Sequence, residues 1–227
     1  MDPIQIIALS MGAAWASGVN LYATVAMLGL MSTTGNIELP PGLEVVENPM
    51  VIFAACAMYV VEFVADKIPG VDSAWDTVHT FIRIPAGAAL AAGAVGDISP
   101  AMEFAAVLAG GGLAATTHAT KAGTRLMINT SPEPFTNWGA SIAEDASAIA
   151  LLWAALYHPW LAVAALVVFV LIMIWLLPRL WRLIKALFTR IGRLFGGKPA
   201  PEPVSGDAGF SEAMPDNLTI AKPAKGE

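Results

Sequence analysis

The sequence predicts an all-α protein, a polytopic membrane bundle of about six transmembrane helices. Of its 227 residues, 56% are hydrophobic and 13% are charged, whereas soluble domains contain roughly 45–50% apolar and about 25% charged residues. A transmembrane helix needs roughly 20 mostly apolar residues, so this chain is long enough for about six crossings. We therefore expect the lipid bilayer to cover most of its surface.

Six apolar stretches follow one another along the chain, and polar segments rich in proline separate them. The third stretch is short, so it crosses only if the amphipathic residues before it belong to the same helix. Proline interrupts a helix, and Pro132, Pro134 and Pro159 mark the predicted joins, with Asn137 as the predicted cap of the fifth helix. The predicted spans are residues 4–31, 50–65, 84–95, 102–128, 142–157 and 160–177.

The predicted transmembrane domain is residues 1–178, and a basic segment and a tail follow it. In residues 179–196 apolar positions recur at helical spacing with Arg and Lys between them. This segment is either an amphipathic juxtamembrane helix that binds anionic lipids or an ordinary basic flank. Residues 197–227 contain few large apolar groups, which predicts a disordered cytoplasmic tail.

Positive charge predicts the orientation, because short cytoplasmic loops carry the excess of Lys and Arg. With six spans and both termini in the cytoplasm, all 12 Lys and Arg residues lie on or near the cytoplasmic side. The net charge of −6 argues against a nucleic-acid partner. A single cysteine, Cys56, excludes a disulfide framework and a cysteine-rich zinc site. No metal or other cofactor is predicted.

A division near Pro100 gives two halves of three spans each, which would be inverted relative to one another. The first helix of each half is rich in small residues and then polar near its middle. Inverted three-helix repeats are common in secondary transporters, where the binding site lies between the repeats. Small residues are also needed simply for close helix packing in lipid, so a bundle without repeats stays an alternative.

Polar side chains inside the spans are the candidate binding residues, because they are costly in hydrocarbon unless they face a cavity or a partner. Around Gly18 they predict a local unwinding that frees backbone carbonyls, although interhelical hydrogen bonding is the alternative. His118 and Lys121 share a helix face, whereas Arg125 is expected to extend to the membrane interface. The candidates in these two spans are Ser17, Asn20, Tyr22, His118 and Lys121.

Carboxylates lie at a similar depth in the second and fifth spans. Glu62 is near the end of the second span, and Glu144 is near the start of the fifth. Both are candidate substrate-binding residues that act as charge partners. A structural lattice of ion pairs with Lys67, Lys121 or Arg125 explains them equally well.

Residues 66–85 form the densest polar cluster of the chain. If a helix follows the turn at Pro69 and Gly70, its polar residues line one face, where aspartates could hold Mg²⁺ against a phosphate and an arginine could bind the phosphate. The favoured alternative is an interfacial helix with a solvated face. Asp76 and Arg83 are two turns apart, which predicts no direct ion pair between them. The cluster consists of Asp66, Asp72, Asp76, His79 and Arg83.

Three segments resemble a bacterial family of integral membrane proteins called domain of unknown function 4126. They are residues 16–24 (ASGVNLYAT), 66–76 (DKIPGVDSAWD) and 129–134 (NTSPEP). The resemblance implies a multi-pass protein of the bacterial inner membrane, and it implies no catalytic residue.

The leading functional hypothesis is a small transporter or channel for a small solute or ion. The first alternative is a membrane-embedded enzyme that acts on a lipid or phosphorylated substrate at the cytoplasmic face. It is less favoured, since GxSxG, HExxH, Walker and dinucleotide-binding motifs are absent from the sequence. The second alternative is an accessory subunit of a membrane complex, and a homo-oligomer also stays open.

Overall fold

The computed structural model describes residues 1–96, 98–130 and 134–194, and the regular elements of these residues are all helical. This confirms the all-α prediction. A compact unit covers Met1–Lys185; the predicted tail lies outside the described residues. The α-helices are α1 (Pro3–Thr33), α2 (Pro49–Ala65), α3 (Val71–Val95), α4 (Pro100–Ile128), α5 (Pro134–Tyr157) and α6 (Pro159–Leu194), and a 3-10 helix (Pro41–Glu47) precedes α2.

Proline starts most of these helices, because the first helical position needs no backbone N–H donor. Side chains cap two of these starts: Asn48 accepts from the Met50 N–H at 2.9 Å, and Ser99 accepts from the Met102 N–H at 3.2 Å. The prediction that Asn137 caps the fifth helix is wrong, since α5 already begins at Pro134. The prolines at helix starts are Pro3, Pro49, Pro100, Pro134 and Pro159.

Within the described part of the chain, four helices are long and apolar enough to cross a membrane: α1, α3, the part Phe135–Tyr157 of α5 and the part Pro159–Leu176 of α6. The 3-10 helix and α2, bent by 65°, make a fifth candidate if they are counted together. Helix α4 has 29 residues but is richer in polar and small side chains. Large apolar side chains such as Phe53 and Trp160 are exposed, as expected for a surface that faces lipid.

The third predicted span is longer than its apolar stretch alone. Helix α3 is continuous from Val71 to Val95 and contains Pro85. The amphipathic residues before residue 84 therefore belong to the same helix, as its crossing requires. Helix α6 likewise continues beyond Pro178, so the predicted juxtamembrane segment begins within the same helix as the sixth apolar stretch.

Helix α1 lies at the centre of the compact unit and packs against α2, α3, α4 and α5. Small residues allow this close packing, as is usual between helices in lipid. A Cβ atom added to Gly18 would lie 2.6 Å from the Ala114 carbonyl oxygen of α4, and one added to Gly87 would lie 2.7 Å from the Ser17 hydroxyl. The close approach brings the polar groups of α1, α3 and α4 within reach of each other.

Two neighbouring glycines of α4 provide a matched test of this packing. A Cβ atom at Gly110 would collide with the Ala91 Cβ of α3, whereas a Cβ atom at Gly112 meets no atom within 4 Å. We expect Gly110→Ala to lower the free energy of unfolding by about 1–3 kcal/mol through overpacking. Gly112→Ala should be neutral or slightly stabilising, since alanine favours helix. Equal effects of the two changes, measured by unfolding in mixed micelles, would contradict this packing.

Candidate functional site

The middle of α1 contains a break at Asn20. The backbone there is not helical (φ −148°, ψ 98°), and the side chain is 1% exposed. The Asn20 amide oxygen accepts from the Ala23 N–H at 2.9 Å, so Asn20 acts as the N-cap of the second half of the helix. The predicted local unwinding is therefore present, two residues beyond Gly18.

The break separates the Val19 backbone carbonyl from its helical donor. In an intact helix the Val19 carbonyl would accept from the N–H of Ala23, which instead donates to Asn20. The Lys121 ammonium of α4 donates to the Val19 carbonyl at 3.1 Å. A backbone carbonyl at the predicted break is thus bound by a lysine of the same chain.

Four carboxylates surround the same lysine. The Lys121 Nζ lies 2.8 Å from Asp66 Oδ2, 3.2 Å from Glu62 Oε1, 3.8 Å from Glu144 Oε2 and 3.9 Å from Asp76 Oδ1. The lysine side chain is 2% exposed. Such an arrangement compensates the high energetic cost of a buried ammonium.

Arg83 joins two of these carboxylates. Its guanidinium forms ion pairs with Glu62 of α2 and, at 3.1 Å, with Asp76 Oδ1. The prediction that Asp76 and Arg83 are too far apart for an ion pair is wrong, because the long arginine side chain extends back over two turns of α3. The prediction of a solvated face is wrong for the same helix: Asp72, Asp76, His79 and Arg83 are all buried.

Arg125 joins the other two carboxylates and is fully buried. Its guanidinium pairs with Glu144 Oε2 at 2.7 Å, lies 3.6 Å from Asp66 Oδ2 and donates to the Asn137 side chain. The expectation that Arg125 extends to the interface is wrong, because α5 brings acceptors to it inside the bundle. Lys67, by contrast, donates to the Phe63 carbonyl at 3.0 Å.

The ion pairs described above connect seven ionisable residues, which we call the charged network. It contains four carboxylates and three cations, so one carboxylate is in excess when all are ionised. One oxygen each of Glu62, Asp66 and Asp76 is buried and accepts no hydrogen bond from the described residues. The network meets the surface at Glu144, whose side chain is 18% exposed. Its members are Glu62, Asp66, Asp76, Arg83, Lys121, Arg125 and Glu144.

His118 lies beside the network as a neutral acceptor. Arg83 Nη1 is 3.1 Å from His118 Nδ1, and a guanidinium can only donate. The proton of the ring is therefore on Nε2, which contacts the Thr80 hydroxyl at 2.8 Å and the Asp76 carbonyl at 3.1 Å. Protonation of Nδ1 would remove the acceptor for Arg83.

Tyr22 and His79 form a second polar contact between α1 and α3. His79 Nδ1 lies 2.8 Å from the Trp75 carbonyl, which can only accept, so His79 Nε2 accepts from the Tyr22 hydroxyl at 3.0 Å. Ser17 donates to the Ala14 carbonyl of its own helix at 2.8 Å. Ser17 is therefore a packing residue in this structure, whereas Tyr22 lies at the edge of the site.

Asp72 links the N-terminal end of α3 to the C-terminal end of α4. Its carboxylate accepts from the Asn129 amide at 2.8 and 2.9 Å and from the backbone N–H of Gly70 at 2.9 Å. Among the described residues no three His, Cys, Asp or Glu side chains are arranged to hold a metal ion. The aspartates of residues 66–85 are held by Asn, Lys and Arg side chains instead.

Sequence reasoning missed the partner of Asn20. The Asn20 amide donates to Asp145 Oδ1 at 2.9 Å, and the Tyr59 hydroxyl lies 3.5 Å from Asp145 Oδ2. Asp145 is 6% exposed. A signal was present, since the acidic pair Glu144 and Asp145 lies near the start of the fifth apolar stretch, but only Glu144 of that pair is a predicted site residue. Asn129 lies in a predicted loop, and Asn137 is predicted only as a helix cap, so neither is a predicted site residue.

The chain matches a protein family over most of its length. The family described as Domain of unknown function (DUF4126) matches residues 7–179, which include every residue of the charged network. No curated protein and no solved structure matches the chain significantly. Since the match covers most of the chain, the protein belongs to this family.

Proposed function

We propose that this DUF4126 protein is a small membrane transporter or channel for a small solute or ion, with its site at the break in α1. The observation that carries the proposal is the Val19 carbonyl, which is released by Asn20 and bound by Lys121 among four carboxylates. Interrupted helices with charged groups at the break are the recurring site of secondary transporters. Architecture of this kind supports a function by analogy.

The cost of the charged network also supports a function. Buried ion pairs are often no more stable than apolar side chains of the same volume, and ionisable groups inside a membrane bundle generally serve transport or binding. The seven residues come from α2, α3, α4, α5 and the turn after α2. Movement of one helix would therefore change the pairing of several charges at once.

The enzyme alternative has less support from the geometry. It required Asp72, Asp76, His79 and Arg83 to meet a phosphorylated substrate at the cytoplasmic face. All four are buried, and each contacts a neighbouring side chain. These residues therefore present no open polar surface to such a substrate.

We also propose six crossings with both termini in the cytoplasm, with α2 and α4 each included as a crossing. The distribution of Lys and Arg supports this topology, and it puts residues 33–49 outside and residues 129–134 inside. In a Cys56→Ala background, Thr34→Cys should react with a membrane-impermeant maleimide in intact cells, since Thr34 is exposed. Thr130→Cys should react only after permeabilisation, and labelling of both in intact cells would contradict the topology.

Reconstitution in liposomes tests transport directly. Currents on a solid-supported membrane with small inorganic and organic ions, and light scattering after osmotic shock with small neutral solutes, should show a flux absent from protein-free liposomes. We expect Lys121→Met to reduce that flux by at least about tenfold, equivalent to about 1.4 kcal/mol. Lys67→Met, the matched control outside the charged network, should retain it.

Two results would contradict the proposal. One is an absence of flux for the whole panel with protein that elutes as a single folded species. The other is an equal flux for the wild type and Lys121→Met, since the site would then not depend on the charged network.

A further inference from the structure

The apolar part of α6 ends just before a group of positive charges. The part Pro159–Leu176 has 18 residues, and at about 1.5 Å of rise per residue it spans roughly 27 Å. The hydrocarbon core of a bilayer is about 30 Å thick, and the headgroups add roughly 5–8 Å on each side. A helix of this length that crosses the core therefore places Arg179 and Arg182 at the depth of the lipid phosphates.

These two arginines lie in a stretch of the sequence that contains no carboxylate side chain. Asp and Glu are absent between Asp145 and Glu202, whereas the same stretch contains six of the 12 Lys and Arg residues. Within the described part of the chain neither Arg179 nor Arg182 forms an ion pair, although every cation of the charged network does. Their charge is therefore available to an anion from outside the described protein.

Both arginine side chains are exposed and lie along the surface of α6. Arg179 Nη1 donates to the Trp175 carbonyl at 2.5 Å, and the guanidinium carbon of Arg179 lies 3.7 Å from the centre of the Trp175 ring. Arg182 Nε donates to the Pro178 carbonyl at 3.3 Å. Each bond uses one of the several N–H groups of a guanidinium, which leaves donors for the oxygens of a phosphate.

Trp175 lies on the same side of α6 as the two arginines. Residues three or four apart share a helix face, and Trp175, Arg179 and Arg182 follow one another at spacings of four and three. The Trp175 side chain is 59% exposed, and tryptophan is enriched at the boundary between hydrocarbon and headgroups. This face therefore combines an indole at the hydrocarbon edge with two guanidinium groups at phosphate depth.

We infer that Trp175, Arg179 and Arg182 form a binding site for the phosphate group of an anionic lipid. Phosphate is the anion at this depth of a bilayer, and guanidinium groups bind it through paired hydrogen bonds. A headgroup with a net negative charge is preferred over a zwitterionic one, because the site contains two positive charges. This inference concerns lipid binding, goes beyond the proposed transport and does not depend on it.

The test measures which lipids stay bound to the full chain. Native mass spectrometry of protein from micelles with equal amounts of phosphatidylglycerol and phosphatidylcholine gives the ratio of the two bound lipids. We expect the wild type to prefer phosphatidylglycerol by at least about fivefold, and Arg179→Gln combined with Arg182→Gln to remove most of that preference. Lys67→Gln, the matched control for a cation outside the site, should keep it.

Two results would overturn the inference. One is an equal ratio for the wild type and the double variant, which should fold because both substitutions are at exposed positions. The other is a wild-type ratio near one, a measurement that needs no variant. If a preference then appears when the acidic side chains of the tail are neutralised, the tail and not a lipid is the partner of the arginines. These acidic residues are Glu202, Asp207, Glu212 and Asp216.

Discussion

Arg83→Met should lower the free energy of unfolding by about 3–5 kcal/mol, the usual cost when one partner of a buried ion pair is removed. The side chain of Arg83 is 0% exposed and pairs with Glu62 and Asp76. Its removal increases the carboxylate excess of the charged network from one to two in a region closed to water. The measurement is equilibrium unfolding in mixed micelles with increasing dodecyl sulfate.

A second substitution separates charge imbalance from lost packing. Glu62→Gln in the Arg83→Met background returns the excess to one, and we expect it to recover at least half of the loss. Lys67→Met is the control for removal of a cation outside the charged network, and it should change stability by less than about 1 kcal/mol. If Glu62→Gln and Arg83→Met simply add, the two side chains are not coupled as the geometry indicates.

Asn20→Asp should destabilise the protein by about 2–4 kcal/mol, although it changes only an amide to a carboxylate. The substitution keeps the oxygen that accepts from the Ala23 N–H. It removes the amide that donates to Asp145 Oδ1 at 2.9 Å and places two buried carboxylates in direct contact. The loss therefore comes from the contact between α1 and α5 rather than from the cap of the helix.

Exchange of the two side chains tests that origin. The double variant with Asn20→Asp and Asp145→Asn contains one amide and one carboxylate again, and the hydrogen bond is reversed in direction. We expect it to recover most of the stability lost in Asn20→Asp, measured by the same unfolding experiment. A double variant as unstable as the sum of its single changes would show that Asp145 has another essential partner.

Local features of the chain determined the helices. Apolar stretches of sufficient length and prolines at the joins predicted six helical segments that lie within α1–α6, because helix formation in an apolar segment depends on its own backbone and composition. Polar residues near Gly18 predicted the break in α1 within two residues. The bundle is therefore largely a consequence of patterns that the sequence displays directly.

Among the residues that the structure describes, four to five helices rather than six are long and apolar enough to be candidate membrane spans. The two segments that fall short are informative. Helix α2 has 17 residues and is bent against the 3-10 helix, and α4 contains His118, Lys121 and Arg125. These three polar residues lower the apolar character of α4, and they are buried against the other helices.

The sequence by itself indicated polar candidates within the apolar spans, such as Asn20, His118 and Lys121. Only the tertiary structure decided that Arg125 and the polar face of α3 are buried as well, and how these groups pair. Arg125 is buried because α5 brings Glu144 and Asn137 to it, and Arg83 reaches Asp76 only along the geometry of α3. Lys121 meets the Val19 carbonyl because small residues let α1 and α4 approach closely. Helix formation follows from local interactions, whereas the choice among several buried partners depends on distances that packing alone sets.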